Sequence, residues 1–417
     1  MRTAVRRVLV VVLGLLATLA VAGPASAHGG GGAAGSDFDG VLRSVSPALP
    51  GVTVRVLDFG DQLEVVNPTG TELAVPGYSG EPYLRIGPDG VWRNARSPAT
   101  WLNLDRYGRT PVPDDADIAA APRWEQVSTQ PQYVWHDHRT HWMSVGQLPP
   151  VVAADPGSPH TVSEWTVPVI YGGRDVVVAG ALTWTPPPPG WLVWPVYVLL
   201  LGGTVAAGWL ARSPRPLGAA LALGAAAALY HALATPEPAT SVSSHTGAIV
   251  SALLPALLVV LAAAVGARAA RRGRGVLTGL TAVVAGWLLL VEGLPDVDVL
   301  WTAHALANGP QLLARAAVAV LVAGGLGLVV GGIGAVRRFR DDARRHSPSA
   351  ADALTRPDQT SVDVSTRRRP LTHRVDRPTC RVGTFCRSAA KVPRRVLPNT
   401  PSSELQPCHS MLRSLPY

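Results

Sequence analysis

Lysine is almost absent from this chain of 417 residues: there is one, Lys391. Arginine carries nearly all the positive charge, for a formal net charge of +9. The arginines flank apolar runs and fill the C-terminal end rather than forming a basic face, so nucleic acid is not an expected partner. Cysteine is confined to Cys380, Cys386 and Cys408. No disulfide can therefore staple anything before residue 380, and the spacing of the three matches no zinc pattern. Between Met1 and Met411 the only methionine is Met143. Charged residues make up only 16 % of the chain, because long apolar runs occupy much of it. No nucleophile, base and acid stand at workable spacing. His136, Asp137 and Ser144 are too close in sequence for a strand to present them as a triad, and no enzymatic activity is expected.

What is present falls into a clear order. Residues 1–27 have the parts of a secretory signal: Arg2, Arg6 and Arg7, an apolar run from Val8 to Ala22, and Ala25-Ser26-Ala27 before the cut. Cleavage there would make His28 the new N-terminus, offering its amine and its imidazole to one metal ion. Residues 28–185 then read as an exported β domain. Val52, Val54 and Val56 alternate with Thr53 and Arg55, and turns at 59–61, 67–70, 87–90 and 172–173 separate further short strands. This spacing predicts an antiparallel β-sandwich of immunoglobulin-like type, with 94–131 irregular. Residues 186–190 form a Pro-rich tether.

Residues 191–335 read as an all-α membrane region of about five spans: 191–211, 217–234, 247–267, 276–291 and 312–335. Arginines follow the first, third and fifth spans, whereas the connections 235–246 and 292–311 carry no Lys or Arg. The positive-inside rule then predicts a multi-pass plasma-membrane protein with its N-terminal domain outside and a disordered cytoplasmic tail, 336–417. The lipid bilayer is the first expected partner, and an envelope protein or a metal-transfer partner the second.

The densest chemistry lies in 133–143, Tyr-Val-Trp-His-Asp-His-Arg-Thr-His-Trp-Met. His136 and His138 are two apart, so a strand would point both rings to one face; His141 joins them if the strand bends or ends. Three imidazoles with Met143 and no thiolate suit copper, with His28 as a further ligand. Three imidazoles alone suit zinc equally. His231, His245 and His304 fall near the same side of the membrane as this stretch, as do Glu292, Asp296 and Asp298.

The order of signal, His28, β pattern of 52–75 and His231 on a span resembles the bacterial copper-resistance family of the CopC/CopD type, within an actinobacterial kind of membrane protein. That resemblance implies copper handling by an exported β-sandwich joined to outward-facing histidines. Five spans are fewer than that family's membrane partner has, and the His136-Asp137-His138 cluster is not one of its motifs. Two readings stand: a copper-binding β domain on a membrane anchor, serving copper uptake or tolerance, and an envelope-anchored binding or structural protein with no metal site.

Overall fold

A computed structural model describes residues 35–345. The signal segment, His28, the three cysteines and the tail from residue 346 lie outside the described residues.

The β part contains β1 (Gly35–Ser36), β2 (Phe38–Ser46), β3 (Thr53–Leu57), β4 (Gln62–Val66), β5 (Leu73–Pro76), β6 (Pro82–Gly87), β7 (Gly90–Asn94), β8 (Trp124–Ser128), β9 (Gln132–His136), β10 (His160–Tyr171) and β11 (Arg174–Trp184). A seven-stranded sheet runs β2-β11-β10-β5-β6-β7-β8, and a three-stranded sheet runs β3-β4-β9. Every pairing is antiparallel. Alternation decides which side chains go inward. Leu63, Val65 and Trp135 of the small sheet meet Leu84, Ile86, Val167 and Val178 of the large one in a single core. The two sheets therefore pack face to face as a sandwich. The Gly172-Gly173 turn joins β10 to β11 as expected, with both glycines at positive φ.

Two strands escape the sequence pattern. β2 closes the large sheet against β11, although most of its residues are at least partly exposed. β8 lies within the stretch expected to be irregular; it pairs with β7. Short helices α1 (Pro98–Leu102) and α2 (Pro150–Ala154) sit in the connections.

Five helices are long and apolar enough to cross a membrane. They are built from α3 (Gly190–Trp209), α4 (Arg215–Leu233), α5 (His245–Arg271), α6 (Gly275–Gly293) and a last composite helix. The composite consists of α7 (Gln311–Ala319), a π-helical turn over Val320–Gly324, and α8 (Gly325–Arg345). Trp191, Leu199, Leu254, Leu261 and Leu312 are each more than half exposed on these helices, an apolar outer surface suited to lipid.

Small residues let the helices approach closely. A Cβ on Gly208 of α3 would stand 1.9 Å from the Gly331 carbonyl of α8, and one on Gly327 would stand 2.7 Å from Thr204. Thr204 and Gly208, four apart, thus meet Gly327 and Gly331, also four apart. In the same way Gly279 and Gly286 of α6 face Gly332 and Gly325 of α8.

The last helix continues ten residues beyond Ala335, so residues 336–345 are helical rather than part of a disordered tail. Packing explains the extension. Phe339 covers Gly275, Arg338 donates to the Trp209 carbonyl at 3.1 Å, and Arg337 lies over the Trp209 ring. Alternating helix direction puts the arginine-bearing connections at one end of the bundle and both arginine-free connections at the end facing the β sandwich.

Candidate functional site

The strand that carries the histidines stops at His136, opposite Gln62 of β4. Asp137 ends it. Its carboxylate is fully buried and accepts from the Trp135 indole at 3.0 Å and from Arg139 Nε and Nη2 at 2.7 and 2.6 Å. The backbone N–H of Arg139 also reaches that carboxylate, and Thr140 N–H donates to the Asp137 carbonyl at 3.0 Å. This is an Asx-type turn, in which a side chain offers the backbone an alternative to the ladder. His136 and His138 consequently do not share a strand face. The turn instead brings His138 to His141, edge to face, with ring centroids 5.6 Å apart.

Each of the three imidazoles is aimed by one backbone carbonyl. His136 Nδ1 bonds the Asp61 carbonyl at 3.1 Å, His138 Nε2 bonds that of Asp105 at 3.0 Å, and His141 Nδ1 bonds that of Trp142 at 3.3 Å. A carbonyl only accepts, so the nitrogen facing it carries the hydrogen and the opposite nitrogen keeps its lone pair. The lone pairs therefore lie on His136 Nε2, His138 Nδ1 and His141 Nε2. Metal-ligating histidines are oriented in the same way by their outer partners. His141 Nε2 is buried and has no hydrogen-bond partner among the described residues.

Burial holds His141 well below the usual imidazole range, at about 4, against the opposing bond to the Trp142 carbonyl; Arg106, His138 and His136 lower it further. His136 is also lowered, first by burial and then by Arg106 and His138. Arg106 forms an ion pair with the buried Asp61. His138 stacks on Tyr78, with 5.9 Å between centroids, and its backbone N–H donates to the Tyr78 hydroxyl.

Among the described residues, no three of His, Cys, Asp and Glu are arranged to hold a metal ion. The fold juxtaposes His138 and His141; Met143 is half-buried two residues beyond, and its neighbour Trp142 donates to the Gln147 carbonyl at 2.7 Å. His160 is elsewhere, tied to the Asp155 carbonyl and stacked on Trp184.

The junction with the bundle has a set of polar contacts of its own. β1 pairs with a short strand, β12 (His304–Ala305), in the connection 294–310. Asp298 accepts from Gly35 N–H at 3.1 Å, and Asp37 accepts from Ala303 N–H at 2.8 Å. Arg315 donates to the carbonyls of Val299 and Ala303. Behind them, His231 Nε2 lies 3.1 Å from an Asp296 carboxylate oxygen, with the buried Glu292 carboxylate nearby.

On the other side of the junction, Arg55 Nε donates to Glu64 at 2.6 Å. Its Nη1 pairs with Glu237 at 3.0 Å and its Nη2 reaches the Pro238 carbonyl at 3.0 Å. Glu64, fully buried, also accepts from Thr240 N–H at 2.5 Å. The Arg55–Glu64 pair went unread in the sequence. The signal available was a pair of opposite charges facing each other across the hairpin β3–β4, in the midst of apolar strand residues.

Comparison with protein-family models, with curated proteins and with solved structures gives no match.

Proposed function

We propose that this is a multi-pass plasma-membrane protein whose β domain lies outside the cytoplasm and binds copper at the His138–His141 pair, serving copper uptake or tolerance. The orientation rests on the arginine distribution: the basic connections lie at the end of the bundle away from the sandwich, as the positive-inside rule asks. The immunoglobulin-like character of the sandwich belongs to the same proposal.

The observation that carries the metal reading is the set of imidazole–carbonyl bonds. They fix the tautomers and leave His138 Nδ1 and the buried His141 Nε2 as bare lone pairs on adjacent rings. Two neutral imidazoles with a thioether nearby suit copper(I), which accepts low coordination, better than zinc, which wants four ligands. Met143, His136 and His28 are the further donors, and a metal-transfer protein would be the partner.

The bonds to Asp61 and Asp105 tie those two loops to the histidine turn, which is all the alternative needs: an envelope-anchored binding protein with structural histidines. Titration of the full chain in detergent with copper(I), against a chromogenic competitor, separates the two. Submicromolar binding lost in a His138→Ala/His141→Ala variant supports copper. A folded wild-type protein that binds no copper returns the reading to the envelope protein.

A further inference from the structure

One arginine of the sandwich faces inward. On β7, Val91 and Arg93 are two apart and share a face. Val91 is fully buried in the core, and so is Leu84, the cross-strand partner of Arg93 on β6. The Arg93 guanidinium makes no hydrogen bond or ion pair among the described residues, and its Nε is buried. Glu125, opposite it on β8, is half exposed and has its ion pair with Arg123 instead, at 3.9 Å. A guanidinium is always charged and carries five N–H donors. Setting it against a core without a counter-charge is costly unless something else answers it.

A cavity of about 230 Å³ opens beside this arginine, lined by β7, β9 and the segment that follows α1. At roughly 30 Å³ per water-sized group it has room for about eight such groups. Among the described residues no Asp or Glu lines it.

A second donor meets Arg93 there. Asn103 ends α1, lines the cavity and is only 6 % exposed. Tyr78 fixes which way its amide points. The Tyr78 hydroxyl accepts from the His138 N–H, so its own hydrogen goes to Asn103 Oδ1, at 2.5 Å. Nδ2 is thereby turned away from Tyr78; it is buried and makes no hydrogen bond of normal geometry. The buried Tyr83 hydroxyl beside it takes at most one of its two N–H groups. At least one is left for a ligand.

Arg93 and Asn103 thus offer the cavity a positive charge and N–H donors with no carboxylate in return, the pattern that holds an oxyanion. Much of the remaining wall is apolar. It includes Leu104, and Tyr133 and Trp135 two apart on β9, with rings 14° from parallel and centroids 6.4 Å apart. An inorganic anion would leave that wall uncovered, whereas a carboxylate with a short carbon body would cover it.

We propose that this cavity binds a small carboxylic acid as its anion, with the carboxylate on Arg93 and Asn103 Nδ2 and an apolar body against Tyr133 and Trp135. The site stands apart from the copper reading, which needs His138 and His141 and neither Arg93 nor Asn103.

The test uses the full chain in detergent, metal-free and in low-chloride buffer, with empty micelles as the blank. Saturation-transfer NMR reads binding of butyrate and, separately, of butyramide, which has the same shape without the charge. Inorganic phosphate is then added as a competitor. Wild-type protein is expected to bind butyrate saturably and butyramide much more weakly. Arg93→Gln should bind butyrate about tenfold or more weakly, while Arg43→Gln, an exposed arginine elsewhere, should bind as wild type. Arg93 makes no bond that holds the fold, so Arg93→Gln should unfold at the wild-type temperature, which separates loss of ligand from loss of structure. If it does not fold, Asn103→Asp carries the same expectation: it keeps the bond from Tyr78 and sets a negative charge in the cavity. Folded wild-type protein that does not bind butyrate, or that binds butyramide as tightly, overturns the proposal. So does Arg93→Gln that binds as tightly as wild type, or phosphate that displaces butyrate at well below the butyrate concentration.

Discussion

Removing Arg55 should loosen the whole junction, and the structure sets the size of the effect. Glu64 is fully buried; its two stabilising contacts are the Arg55 guanidinium and the Thr240 N–H. Breaking a buried pair from one side leaves a desolvated charge and costs about 3–5 kcal/mol. The Thr240 bond stays within reach of Glu64 and keeps the Arg55→Ala cost near the low end, at about 3 kcal/mol. The control is Arg43, whose pair with Glu164 is exposed, at 51 % and 73 % of the two side chains. Arg43→Ala should cost about 0–1 kcal/mol. Thermal unfolding in detergent should therefore place Arg55→Ala several degrees below wild type and Arg43→Ala close to it. Arg55 also joins the sandwich to residues 237–240, so hydrogen exchange in that connection should rise in Arg55→Ala and in Glu64→Gln. Equal stabilities for Arg55→Ala and Arg43→Ala, with unchanged exchange at 237–240, would refute the idea that this pair clamps the junction.

Other perturbations test other parts. Asp58 has its carboxyl raised by burial, so its charged form is the disfavoured one in the fold. The penalty is present above the raised pKa and disappears as pH falls below the ordinary carboxylate range. Asp58→Asn should thus be more stable than wild type at pH 7, with the gap closing toward pH 3.5, as read by denaturant midpoints across that range. Asp137→Ala removes the partner of both Arg139 and the Trp135 indole and should cost about 3 kcal/mol or more, with loss of copper binding wherever the turn is lost; calorimetry alongside the copper titration reads both. Gly208→Leu should push α3 away from α8, since the new side chain would begin inside the Gly331 backbone; an SDS-unfolding midpoint well below wild type is expected, whereas Gly202→Leu, with open space around it, should leave the midpoint unchanged.

The bundle was the most legible part of the sequence because one property, apolar length, decides it. Each expected span overlaps a helix that begins within a residue or two of the expected start. What apolar length does not encode is where a helix stops when its next turns pack on protein, and Phe339 over Gly275 carried α8 past the expected end. The small-residue steps at 204 and 208, and at 327 and 331, were equally readable as spacing, but only packing shows which steps meet. In the sandwich, glycine-marked hairpins were legible and β2 was not, because its partner β11 lies more than 120 residues away. The histidine stretch shows the same limit at short range. A period of two predicted His136 and His138 side by side, yet Asp137 had stronger bonds available to Trp135 and Arg139 than to a longer ladder. The junction was the least legible, since Gly35 bonds Asp298 across 263 positions of sequence.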